Sequence, residues 1–156
     1  MAWAKNITAD GDGTGGYTTD SYTEKKFNMF MAYSVNTTSN AQYLRPNSDT
    51  GLQYATRENN NGGTDGTATS SSTGFQFTQG SVTPSFGIGY FCDIASEEKL
   101  FISFSIEQET AGAGTAPKRR ETVGKLVDTT RITSMEINVS AGNNTTDSNY
   151  SSLGTD

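Results

Sequence analysis

The stretch Ser85–Gln108, "SFGIGYFCDIASEEKLFISFSIEQ", decides the fold class. In its first half Phe86, Ile88, Tyr90, Cys92 and Ile94 share one face, and in its second half Leu100, Ile102, Phe104 and Ile106 alternate with Ser103, Ser105 and Glu107. A period of two over this length marks strands that bury one face. The polar "ASEEK" between the halves reads as a tight turn, so the two halves pair as a central hairpin. Cys92 lies inside the apolar run with no activating cation beside it, which makes it a small buried hydrophobe rather than a nucleophile. The opposite face of the first half begins with Gly87 and Gly89, and glycine at those places implies that another backbone or a large side chain approaches closely.

Working outward, "FNMFMAYSV" (27–35) sets Phe27, Met29, Met31, Tyr33 and Val35 on a core face. "AQYLRP" (41–46) is expected to pair back on it as a hairpin that Pro46 ends. "LQYATRE" (52–58) reads as a short strand carrying Leu52 and Tyr54, and "NNNGGTDGTATSSST" (59–73) as a loop or exposed edge. Phe75 and Phe77 alternate in "GFQFTQ". "ETAGAGTAPKRRETVGK" (109–125) reads as a long Gly/Ala/Pro connection. Met135, Ile137 and Val139 alternate beyond it, with Ile132 out of phase as a bulge would place it. A last short strand with Tyr150 and Leu153 is expected beside the first, near Trp3 and Ile7. No segment shows apolar residues at helical spacing, so helix content should be very low. The expected fold is all-β: a single antiparallel β-sandwich or jelly roll over residues 1–156.

Composition agrees with polar outer sheet faces. Of 156 residues only 32 % are hydrophobic and 18 % charged, and Ser, Thr, Asn and Gly make up the difference. A core that small makes self-association or docking onto a larger body expected, because buried interface supplies stability that the monomer lacks. A net charge of −6 opposes nucleic-acid binding, which needs clustered cations facing phosphates. The cluster Lys118, Arg119, Arg120 and Lys125 reads as a solvated loop. With no histidine in the chain, imidazole-based triads and histidine-ligated metals are excluded. No apolar run is long enough to span a bilayer, and the start lacks a signal-length hydrophobic segment, so a soluble chain made in the cytoplasm is expected.

Three loop features are candidates for chemistry. "DGDGTGG" puts Asp10 and Asp12 two residues apart, as calcium loops begin, but Ser21 stands where such a loop needs its bidentate glutamate, and the segment reads as a turn. Asn59, Asn60, Asn61 and Asp65 could hold a cation or a sugar, yet Asn-Gly and Asp-Gly are the favoured residues of positive-φ turns. Glu97, Glu98, Glu107, Glu109 and Glu121 supply carboxylates for glycoside hydrolysis, but nothing in their spacing makes a pair converge. Tyr43, Tyr54 and Phe91 could stack on sugars, with core or subunit-interface packing as the favoured use. No catalytic, cofactor or metal residue is assigned, and the chain reads as non-enzymatic.

"NSDTGLQYATRENNNGGTDGT" (47–67), "ASEEKLFISFSIEQETAGAGTAPKRRETVGK" (95–125) and the terminal "SSLGTD" (151–156) together resemble small virion proteins of tailed bacteriophages, especially aquatic ones. The resemblance runs from Lys25 to the C-terminus with its elements in order. It departs at Ser48 and Gln53, where asparagine is the family's habit. It implies a phage virion structural β-domain; with the low apolar fraction, the absence of histidine and the lack of cleft motifs, the expected role is a capsid-surface decoration assembled in multiple copies with itself and other virion proteins. The alternative it leaves is a tail-fibre or appendage module that binds a host receptor or glycan.

Overall fold

The computed structural model describes residues 2–78 and 82–156, and they form two antiparallel sheets packed as a β-sandwich with no helix among them. In chain order the strands are β1 (Ala4–Asp10), β2 (Gly16–Thr18), β3 (Phe27–Ser34), β4 (Gln42–Pro46), β5 (Tyr54–Asn60) and β6 (Gly66–Ser71). They continue with β7 (Phe75–Thr78), β8 (Ser85–Cys92), β9 (Lys99–Glu107), β10 (Lys118–Leu126), β11 (Met135–Val139) and β12 (Asn149–Thr155). The large sheet has the order β1-β12-β3-β8-β9-β10-β5-β6, and the small sheet the order β2-β11-β4-β7.

The central hairpin is present: β8 and β9 pair antiparallel with Cys92 opposite Leu100 and Ser85 opposite Glu107. The C-terminal strand also lies where expected, beside β1, with Ile7 opposite Ser152. Several expectations are corrected. β4 does not return along β3; it crosses to the small sheet and pairs with β11 and β7. Lys118–Leu126 is not a connection but a nine-residue strand between β9 and β5. Its own pattern is too polar to announce a strand, and two flanking strands impose one. Leu52 stands outside β5 and is exposed, while Tyr54 opens the strand and is buried.

The core lies between the sheets and is aromatic. From the small sheet, Phe75 stacks on Phe101 at 4.5 Å and meets Phe91 and Tyr54 edge-on at 5.6 and 5.1 Å. Phe77 meets Phe30 edge-on at 5.9 Å. Such offset and T-shaped contacts add to the value of the burial itself. The rings need room, and the large sheet gives it by glycine. A Cβ on Gly87 would stand 2.8 Å from Phe77 Cζ, and one on Gly89 2.8 Å from Phe101 Cε2. The close approach expected at these glycines is therefore made by two phenylalanine side chains. Met135 and Ile137 of β11 are buried as expected. Ile132 is buried too, but it precedes β11 and is not a bulge residue within it.

Both ends of the interior are polar. At one, Gln42 Nε2 donates to Asn36 Oδ1 and Asn144 Oδ1 at 2.9 and 2.5 Å, while its Oε1 accepts from Ser34 and Thr78. Buried polar groups are tolerated where partners replace water. Tyr150 borders this network, and burial, with the charge of Asp12 adding, pushes its hydroxyl up to about 12. Burial raises Tyr22 and Tyr54 as well. Each folded value lies above the ordinary tyrosine value of 10.0, so the folded state holds the proton more tightly than the unfolded chain. The corresponding stability is fully present below the unfolded value and is lost as pH rises through the folded one. We expect the urea-unfolding free energy to fall from about pH 10 upward and Tyr150→Phe to flatten part of that fall. A wild-type curve flat to pH 12 contradicts this.

Candidate docking face

An eight-stranded sheet has two faces, and the four-stranded sheet can cover only one. Sequence periodicity assigns the apolar side of β3, β8 and β9 to the interior, and the structure reverses that assignment. In β3, Asn28, Phe30 and Ala32 are buried, whereas Phe27 and Tyr33 are exposed and Met29 and Met31 half-buried. In β8, Gly87, Gly89 and Phe91 face inward, and Phe86, Ile88, Tyr90 and Cys92 face out. In β9 the inward residues are Lys99, Phe101, Ser105 and Glu107, and the outward ones Leu100, Ile102, Phe104 and Ile106. The reason is steric: only the glycine and serine side of these strands has space for Phe75, Phe77 and Phe101.

The outward residues fall in register as rows across the strands. Tyr33, Phe86 and Ile106 stand side by side at one end, and Phe27, Cys92 and Leu100 at the other. Between them run Met31, Ile88 and Phe104, and then Leu153, Met29, Tyr90, Ile102 and Val123. Leu100 and Ile102 are 55 % and 56 % exposed. Single exposed hydrophobics are ordinary, but contiguous ones covering several strands mark an interaction surface. Near the Phe27 end the face sinks into a hollow of about 240 Å³ between Trp3, Phe27, Tyr90, Cys92, Leu100 and Ile102. Cys92, expected in the core, thus lies half-buried in the floor of an outer hollow.

Charges end three of the four rows at β10, where Lys125 stands beside Leu100, Glu121 beside Phe104 and Arg119 beside Ile106. Lys125 pairs with Glu98 at 2.7 Å, and Arg119 approaches Glu121 at 3.8 Å. Lys118 pairs with Glu109, and Arg120, turned inward, with Glu58. The basic cluster is accordingly part of a strand whose cations each have a carboxylate partner on the same chain, not a solvated loop.

The other candidates are separated in space. Asp12 accepts from the amide and hydroxyl of Thr14 at 2.9 and 2.5 Å, and that hydroxyl bond holds its carboxyl below the ordinary aspartate range. Asp10 accepts from Asn149 Nδ2 at 2.7 Å, so both aspartates tie turns and strand edges together. Asn61 and Gly62 have φ of 53° and 75° at the tip of the β5–β6 hairpin, where Asn59 Nδ2 donates to Gly63 O and Asp65 Oδ1. The asparagine-rich segment is a turn, and β6 is an exposed edge strand. Glu98, Glu109 and Glu121 lie in the surface ion pairs just named, and Glu97 lies in the turn before β9. Glu107, read as part of a polar outer face, is buried inside the sandwich. Tyr54 and Phe91 are core residues and Tyr43 is half-buried. The aromatics on the surface are instead Trp3, Phe27, Tyr33, Phe86, Tyr90 and Phe104. Comparison with protein-family models, curated proteins and solved structures finds no match, and the outer face of the large sheet is what bears on function.

Proposed function

We propose that this chain is a non-enzymatic structural component of a bacteriophage virion, carried in many copies as a decoration of the capsid surface and held in its assembly by burying the outer face of its large sheet. The observation that supports this reading is the face itself. Its apolar rows run across β3, β8 and β9, one of them reaching Leu153 on β12 and Val123 on β10, and water is a poor neighbour for them. The likeness of the sequence to tailed-phage virion proteins supports the setting. Multiplicity suits it, since many weak copies hold together what one does not.

The test is quantitative mass spectrometry of purified particles from a lysate that produces the chain. Many copies per particle are expected, and a chain carrying Ile102→Glu should be depleted from particles while accumulating free. A stable, folded wild-type chain that is absent from particles overturns the proposal.

A further inference from the structure

We propose that the outer face of the eight-stranded sheet is the contact between two copies of this chain, packed sheet on sheet about a twofold axis. The inference rests on reading that face as a docking surface and adds what covers it.

Area favours a second copy. Five aromatic and four aliphatic side chains on the face stand 39–56 % exposed. Taking about 150–250 Å² for each aromatic residue and somewhat less for each aliphatic one, they present roughly 700 Å². The largest apolar patch of an ordinary monomer is about 300–600 Å². One side of a standard stable interface is ~800 Å², and the half-buried Met29, Met31 and Ile88 bring the face close to that.

Charge points the same way. The outward positions of β3, β8 and β9 hold no charged side chain. The cations bordering the face on β10 are matched by Glu98 and Glu121 of the same chain. A basic or acidic partner would therefore find no complementary charge on the face to meet. An identical face meets it apolar against apolar, at the ~10 Å spacing at which sheets stack.

Shape supplies the register. The hollow lies at the Phe27, Cys92 and Leu100 end, and the Tyr33, Phe86 and Ile106 row lies at the other. A twofold axis in the plane of the interface, across the strands, sets each copy's Phe86 and Ile106 over the other copy's hollow. The contact is then isologous and closes on itself.

Sedimentation equilibrium on the purified full chain at micromolar concentration tests this, with Cys92, the single cysteine, as an internal probe. The wild type should be a dimer whose Cys92 reacts slowly with a thiol reagent. Ile102→Glu, at the centre of the face, should raise the dissociation constant about 100-fold or more and expose Cys92. Ile106→Lys, which adds a charge at a position already 40 % exposed, is the second variant should the first fail to fold. Circular dichroism and thermal melting confirm that each variant is folded. A monomeric wild type with reactive Cys92 overturns the inference, as does a dimer that survives both variants intact. Should such a monomer still enter particles in an Ile102-dependent way, the docking reading stands and only the second copy falls. Entry of such a monomer that is indifferent to Ile102 removes both.

Discussion

Replacing Lys99 with methionine should cost about 3–5 kcal/mol of folding stability, the range seen when one partner of a buried ion pair is removed. Lys99 and Asp93 are both fully buried, with Lys99 Nζ 3.2 Å from Asp93 Oδ1. The ammonium spends its protons on three carbonyls, donating to Ile94 O at 2.7 Å, Glu97 O at 2.8 Å and Thr129 O at 3.1 Å. Oδ1 of Asp93 has no hydrogen bond, so its contact with the ammonium is Coulombic. Oδ2 accepts from Arg131 Nε at 3.1 Å and from the Ile132 amide at 3.0 Å. Methionine fills much the same space but leaves three carbonyls and one carboxylate oxygen without their cation. It also removes one of the ties between the β8–β9 turn and the loop before β11, leaving those that Asp93 makes to Arg131 and Ile132. Urea unfolding measures the effect. Adding Asp93→Asn to the variant should recover part of the loss, because a neutral amide no longer needs the cation, and the two changes should then be less than additive. A loss below about 1 kcal/mol for Lys99→Met alone would show that the pair is not held dry.

That pair also shows where sequence reading ends. Lys99 reads as the last residue of a polar turn, and Asp93 as an interruption in an apolar run. Only the approach of residues 129–132 from a distant part of the chain encloses them. The strands themselves were legible where alternation is strong, in β3, β8, β9 and β11. Alternation fixes which residues share a face but not which face is inside. In β8 the side holding Phe86, Ile88 and Tyr90 is the more hydrophobic, and the interior nevertheless takes Gly87, Gly89 and Phe91. The deciding fact lies on other strands: Phe77 and Phe101 need the space. One signal could have revealed it, namely that Gly87 and Gly89 stand opposite Ser105 and Ser103 once β8 and β9 are paired. A trough of small residues along a strong hairpin is where rings from a second sheet fit. β10 was illegible for a different reason, since "KRRETVGKL" has no apolar period of its own and takes strand form from β9 and β5.

The docking face was hidden by the same ambiguity. Its residues on β3, β8 and β9 read as core and Val123 reads as part of a connection, while the expectation of self-association or docking comes from the low apolar fraction alone. With the faces reversed, that fraction looks smaller still, because much of it lies outside. The interior relies on closely packed aromatic rings, whereas the outer rows await a surface to cover them.

Gly87→Val should accordingly destabilise the fold by about 3 kcal/mol or more, although valine is the better strand former by propensity. A Cβ at this position would sit 2.8 Å from Phe77 Cζ and 2.9 Å from Cε1, closer than carbon atoms pack, and valine adds two methyl groups beyond it. Phe77 cannot move aside freely: it is 1 % exposed and meets Phe30 edge-on. The two sheets must separate locally or the ring must leave its rotamer, and both outcomes open space in a close-packed interior. Phe77→Leu in the same chain should recover part of the loss by shortening the ring that collides, while Phe77→Leu alone should destabilise through the cavity it leaves. Opposite signs for one substitution in two backgrounds are what direct contact predicts. In the monomeric Ile102→Glu background, Phe86→Ala should change stability by no more than about 0.5 kcal/mol, because Phe86 stands outside the sandwich, and a cost there equal to that of Gly87→Val would mean that the assignment of faces is wrong.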